Sequence, residues 1–192
     1  MTITDYASLQ TTLSAYLNRG DLAAQLPTFI QLAEKRLERR ARPVASRSAV
    51  AVAAGALSVV LAADVGELRE LGWQDGVTGQ LGAFHDVFLW WNDADQYVLN
   101  FAPPVRAGSA LLVYYRRIPP LTDAAPTNWL LQQAPDLYLY AALMEASPYL
   151  MEDERLTTWG TAYQTALDDF NGYAERREFS AQSYALTLPV VF

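Results

Sequence analysis

The chain has one histidine, His85, and imidazole is the side chain that exchanges a proton near neutral pH. It stands in a turn-like region ahead of an apolar run, and the chain has no cysteine to share a metal with it. A transition-metal site needs two or more imidazoles at ligand spacing, or one beside a carboxylate cluster, and neither pattern is present. Asn92, Asp93 and Asp95 open like a calcium loop, but the glycine and the closing glutamate are missing at the required spacing, so a turn is expected. Asp168 and Asp169 are consecutive on a helical stretch and therefore point in different directions, which does not make a paired acid and base. Glu152, Asp153 and Glu154 are explained by a helix start, where the dipole favours negative charge. No glycine-rich phosphate loop, nucleophile elbow or dinucleotide fingerprint occurs. The residues thus lead to no expectation of catalysis, of a cofactor or of a bound metal.

What remains is a chain built for packing. Its 192 residues are 52% hydrophobic, enough for one core or a core with a small lobe. The net charge of −7 argues against a protein that grips nucleic acid over a broad basic surface, because that mode needs clustered cations to release counterions. The N-terminal MTITDYASLQ lacks the features of a signal peptide, so the chain is expected to stay in the cytoplasm in which it is made. Ala49 to Val65 is the most apolar run, but Gly55 and Ser58 interrupt it and it is short of a membrane span; two short strands about an Ala53-Ala54-Gly55 turn fit better.

The most apolar helical segment is Pro135 to Leu150, in which only Asp136 and Glu145 are charged. Leu139, Leu143, Ala146 and Leu150 follow one helix face and Tyr138, Ala142, Glu145 and Tyr149 the opposite one, so the helix must be covered all round and is expected to be central. Pro135 suits its first turn, and Pro148 should end or kink it near Leu150. Around it the spacing predicts a short, peripheral first helix over Asp5 to Leu17, capped by Thr4, with Leu9, Leu13, Tyr16 and Leu17 inward. A second helix runs from Pro27 to about Ala41 with Phe29, Ala33, Leu37 and Ala41 as its stripe, and a long helix runs from about Asp153 to Arg177, loosened near its end by Asn171-Gly172.

The second helix and its exit carry Lys35, Arg36, Arg39, Arg40, Arg42 and Arg47, six of the fourteen cations. Two readings stand: a docking patch for an acidic partner, or a solvated face with Glu34 and Glu38 beside the cations and arginines favourably placed at a helix C-terminus. Between Val44 and Arg117 the apolar period shortens to two and glycines recur. Strands are expected at 44–52, 57–61, 67–73, 87–91, 96–101 and 109–117, with turns at Asp75-Gly76, Asn92 to Asp95 and Ala107-Gly108. Phe84, Phe88, Trp90, Trp91 and Phe101 can be read as an aromatic binding surface or, more simply, as sheet packing. In the tail, Tyr184, Leu186, Leu188, Val190 and Phe192 alternate with smaller or polar residues, the pattern of a strand that adds to an edge of its own sheet, of another subunit or of a partner.

These elements predict an α+β fold: a helical bundle from the N- and C-terminal segments (1–43 and 121–179), an inserted β-rich lobe (44–120) and an extended C-terminal tail (180–192). The sequence also resembles a known family. Tyr114-Tyr115-Arg116 followed by Ile118-Pro119, Asn128-Trp129-Leu130-Leu131, and Pro135-Asp136-Leu137-Tyr138-Leu139-Tyr140 with Tyr149-Leu150 resemble the head-to-tail adaptor (connector) proteins of tailed bacteriophages, of the podovirus-like type. The likeness covers most of the chain, while Val77 to Asp86 and Asn92 to Asp95 depart from it.

The resemblance implies a structural virion protein and not an enzyme. It implies a ring of copies, twelve by the portal's symmetry, at the head-tail interface, where the ring extends the DNA channel without binding DNA specifically and gives tail proteins, nozzle or tube, a platform. Arg36, Arg39, Arg40 and Arg42, and the tail residues Tyr184, Leu186, Leu188, Val190 and Phe192, are then the expected portal or inter-subunit contacts. The alternatives are a tail-completion or terminator protein, or a glycan-binding module that stacks sugars on Trp90, Trp91 and Phe101.

Overall fold

Helix ends, buried stripes and strand alternation give the chain two separate cores. The structure, a computed structural model, describes residues 2–83, 87–91, 96–102, 104–150 and 154–183. It is α+β and divides into two compact units, one of residues 1–42 and 118–192 and the other of residues 43–117. No helix among the described residues is long and apolar enough to cross a membrane.

In the helical unit, α4 (Pro135–Glu145) buries Leu137, Tyr138, Leu139, Ala141, Ala142 and Leu143, positions spread round its whole circumference. α1 (Tyr6–Leu17), α2 (Leu26–Arg40), α3 (Trp129–Gln133) and α5 (Arg155–Ser183) all pack on it. The helix stops at Glu145, five residues short of the expected Leu150, and a 3-10 turn over Ser147–Tyr149 follows because Pro148 cannot supply the next helical hydrogen bond.

α1 is capped by Asp5 and not by Thr4: the Asp5 carboxylate accepts from the Ser8 N–H at 2.8 Å while the Ser8 hydroxyl accepts from the Asp5 N–H at 3.0 Å. Its Leu9 and Leu13 are wholly buried, so it is no peripheral helix, and Tyr16 is exposed instead of inward. At the far end Asn18 adopts the left-handed conformation (φ 51°), which closes the helix, and the Arg155 guanidinium donates to the Tyr16 carbonyl at 2.8 Å.

One polar chain runs through this apolar unit. Glu34, on the inner stripe of α2, is 4% exposed. Its Oε1 accepts from the Tyr138 hydroxyl of α4 at 2.6 Å and from the Leu121 N–H at 2.8 Å. Asn128 donates to the Tyr138 oxygen at 3.1 Å and to the Pro119 carbonyl at 2.7 Å, and its Oδ1 caps α3 by accepting from the Leu131 N–H. The segment 118–128, which has no regular structure of its own, is held by these bonds and by the Tyr6 N–H on the Pro126 carbonyl. Burial raises the Glu34 carboxyl above its usual 4.5, although the Tyr138 and Leu121 hydrogen bonds pull it back down; burial and the nearby Glu34 charge also push the Tyr138 phenol up.

The β-rich unit holds two antiparallel sheets. One has the order β1 (Ser46–Val52), β7 (Gly108–Arg116), β3 (Val65–Asp75), β4 (Leu81–Ala83); the other has β2 (Ser58–Val60), β6 (Tyr97–Phe101), β5 (Val87–Trp91). Their shared core includes Val52, Val65, Leu99, Phe101, Ala110, Leu112 and Tyr114. The turn at Ala53 to Gly55 carries the chain from one sheet to the other, with Gly55 at φ 78°. β4 was not expected: the Asp75 carboxylate accepts from the Val77 and Thr78 N–H groups and folds the loop back, so Leu81, Gly82 and Ala83 pair with Gln74, Trp73 and Gly72. Phe101 is 3% exposed and belongs to this core, not to a binding surface. Phe84, His85, Asn92, Asp93 and Asp95 lie outside the described residues.

Packing and charge set the outcomes of three substitutions. Glu34→Ala leaves the Leu121 N–H and the Tyr138 hydroxyl buried without their acceptor and should cost about 3 kcal/mol in urea unfolding. Glu34→Gln keeps an acceptor oxygen and removes the charge. Because the folded state raises the Glu34 pKa, that group's contribution is fully present below the unfolded value of 4.5 and is lost as pH rises through the folded value. Glu34→Gln should therefore gain stability relative to wild type as pH is raised from 4.5 to 7, and a constant difference would refute the assignment. In the other unit, a Cβ on Gly108 would lie 2.3 Å from the Trp73 ring and 2.5 Å from the Gln74 carbonyl, so Gly108→Ala should lower stability by about 2 kcal/mol, read as a lower melting temperature.

Candidate functional site

α2 divides its side chains by period: Leu26, Phe29, Ile30, Ala33, Glu34 and Leu37 face the core, and the cations stand on the remaining faces. Pro27 sits in its first turn, and the helix ends when Ala41 turns extended, its N–H on the Leu37 carbonyl at 2.8 Å. Ala41 is thus the cap, and half-buried it still packs against the helical core at the end of the stripe. Glu34 points inward, so it is not the neighbour of the cations that its place in sequence suggests.

The cations are not equivalent. Lys35 pairs with Glu38 at 2.8 Å one turn along the same helix. Arg36 reaches across to Glu145 at the end of α4, Nε to Oε1 at 2.6 Å, and Glu145 is only 15% exposed. That bond ties α2 to α4, so Arg36 is chiefly a packing residue. Arg39, Arg40 and Arg42 are exposed, and among the described residues none has a carboxylate partner. Arg47 lies in the other unit, exposed on β1.

The exit of α2 is held from α5. Asn171 Oδ1 accepts from the Arg42 N–H at 2.8 Å, and its Nδ2 donates to the Arg40 carbonyl at 3.4 Å. Asn171 thus supplies hydrogen bonds that a helix end lacks, and it fixes the backbone from which Arg39, Arg40 and Arg42 project. The expectation that Asn171-Gly172 loosens α5 is overturned: the helix runs on unbroken to Ser183, so the first four residues of the expected extended tail are helical. The Tyr163 hydroxyl is buried without a hydrogen-bond partner among the described residues; burial raises its pKa, while Arg36 and Arg40 lower it.

Tyr184, Leu186, Leu188, Val190 and Phe192 lie outside the described residues, as do Glu152 and Asp153. Asp168 and Asp169 are both exposed on α5, and Asp168 accepts from Gln164 at 2.8 Å. Among the described residues no three His, Asp or Glu side chains gather as a metal-holding group. Sequence reasoning missed the Asn171 clasp, whose signal was a polar residue four positions after Leu167 on the buried stripe of α5. It missed the Arg36–Glu145 pair because the two residues are far apart in the chain.

The difference among the arginines can be measured. Arg36→Ala strips the mostly covered Glu145 of its partner and should cost about 1 kcal/mol in denaturant unfolding, whereas Arg39→Ala, Arg40→Ala and Arg42→Ala should each stay within about 0.5 kcal/mol. Equal losses at all four positions would show that the exit arginines also serve the fold.

Comparison with known proteins completes the description. No curated protein matches the chain. A protein-family model described as SU10 adaptor protein matches residues 4–186, a span that takes in α1 to α5 and β1 to β7. The chain therefore belongs to the SU10 adaptor protein family.

Proposed function

We propose that the protein is a structural virion component, a head-to-tail adaptor of the podovirus-like type in a tailed bacteriophage. Copies form a ring below the portal, twelve by its symmetry, which extends the DNA channel and offers the tail proteins a platform. The family match over residues 4–186 carries this reading. Three further features support it. The net charge of −7 suits a channel wall along which DNA slides without sticking. Arg39, Arg40 and Arg42 are charged and exposed and have no carboxylate partner among the described residues, and guanidinium forks pair well with carboxylates of an acidic partner surface. The segment 184–192 is an apolar strand pattern that a partner or a neighbouring copy can complete. On this reading Arg39, Arg40 and Arg42 contact the portal or a neighbour directly, and Arg36 helps by holding α2 in place.

The decisive experiment is electron microscopy of the purified chain, alone and mixed with the portal protein of the same phage. A ring stacked below the portal is expected. The triple variant Arg39→Glu, Arg40→Glu, Arg42→Glu should keep its helical circular dichroism and lose the stacked ring, and wild-type binding should weaken as salt is raised. A chain that leaves the portal bare under all conditions would overturn the reading.

A further inference from the structure

β1 is an edge strand with little cover. It bonds to β7 on one side and to no described strand on the other. Of its seven residues only Val52 is buried, while Arg47, Ala49 and Ala51 are exposed. Such an edge offers unpaired N–H and C=O groups, and proteins usually blunt it with proline, a bulge or charge. β1 has no proline, pairs with β7 in unbroken register, and carries a single charge, Arg47. Beside it the outer face of the sheet is a groove of about 590 Å³, walled by Arg47 and Ala49 on β1, Leu111 and Val113 on β7, Gly72 and Leu81. The small side chains of β1 leave Leu111 and Val113 only half covered.

The segment 184–192 has the complementary pattern. Tyr184, Leu186, Leu188, Val190 and Phe192 alternate with Ala185, Thr187, Pro189 and Val191, and none is charged. Nine extended residues span about 30 Å, enough to line the roughly 23 Å of a seven-residue strand. Pro189 gives the orientation: it has no N–H, so it must face away from the ladder, and Leu186, Leu188 and Val190, of opposite parity, then turn their N–H groups toward it. Once added, the strand presents Pro189 on the new edge and blunts it.

We infer that the free edge of β1 receives segment 184–192 of a second copy of this chain as an added strand, whose larger side chains cover the groove beside Leu111 and Val113. The assignment to a second copy rests on the adaptor reading: when each copy donates its strand to one neighbour and accepts a strand from the other, the contact is head-to-tail, the kind that builds a ring where its rotation closes.

The chain has no cysteine, so single cysteines report unambiguously. Full-length Ala49→Cys and full-length Leu188→Cys proteins are mixed, assembled with and without the portal, and treated with a short bismaleimide. A cross-linked peptide pair joining positions 49 and 188 is expected by mass spectrometry; it should be lost when Thr78→Cys replaces Ala49→Cys, or when Leu186→Asp is added to the donor. Circular dichroism checks each variant, and Ala51→Cys with Leu186→Cys stands in for any that does not fold. Rings on the portal without the 49–188 pair would overturn strand exchange and leave the adaptor reading intact. A 49–188 pair that forms in one chain carrying both Ala49→Cys and Leu188→Cys, but not between the mixed single-cysteine proteins, would overturn the second-copy assignment. The pair without rings would uphold strand exchange and count against the adaptor reading, and the absence of both would overturn both.

Discussion

α4 has almost no polar surface, and a helix of that kind is stable only when neighbours cover every side. α1, α2, α3 and α5 do so, drawn from both ends of the chain, which forces residues 1–42 and 118–183 into one unit and sets the intervening residues apart. Apolar packing by itself is non-directional. The Tyr138 hydroxyl on α4 adds direction, because its bond to the buried Glu34 carboxylate and its bond from Asn128 can be made only when α2, α4 and the 118–128 segment take one arrangement. A buried carboxylate costs desolvation free energy, which the Tyr138 and Leu121 donors offset in part.

That arrangement decides which charges remain outside. α2 turns one carboxylate inward, commits Arg36 to Glu145, and leaves Arg39, Arg40 and Arg42 at an exit whose backbone Asn171 holds from α5. Arginines on a fixed helix end would lose less conformational freedom on meeting a carboxylate surface than the same residues on a loop. In an acidic chain they are also the places where an acidic partner is least repelled.

In the β-rich unit small residues let elements approach closely. Gly108 lets the Trp73 ring lie against β7, and the Asp75 turn folds back a short β4 that guards one edge of the sheet. The opposite edge, β1, pairs with no second strand among the described residues and lies beside a groove lined largely by apolar residues. An open edge is a liability in an isolated molecule and an asset in an assembly, since backbone hydrogen bonding tolerates many side-chain sequences.

The sequence by itself determined the α+β character, the central place of the Pro135 helix, the stripe of Phe29, Ala33 and Leu37, and most of the strands, because each of these is written as a local period of 3.6 or two residues. The motifs around Tyr114, Asn128 and Pro135 also carried the family. It left undecided whether the α2 cations formed one patch or a solvated face, and it missed β4, the Asn171 clasp and the inward turn of Glu34. Only the tertiary structure revealed the last two, since each depends on a partner remote in the chain: Tyr138 lies 104 residues from Glu34 and Asn171 lies 129 from Arg42. A local period can say that a residue faces inward, but whether a carboxylate there finds donors, or an arginine finds its acid, depends on which distant segment folding brings beside it.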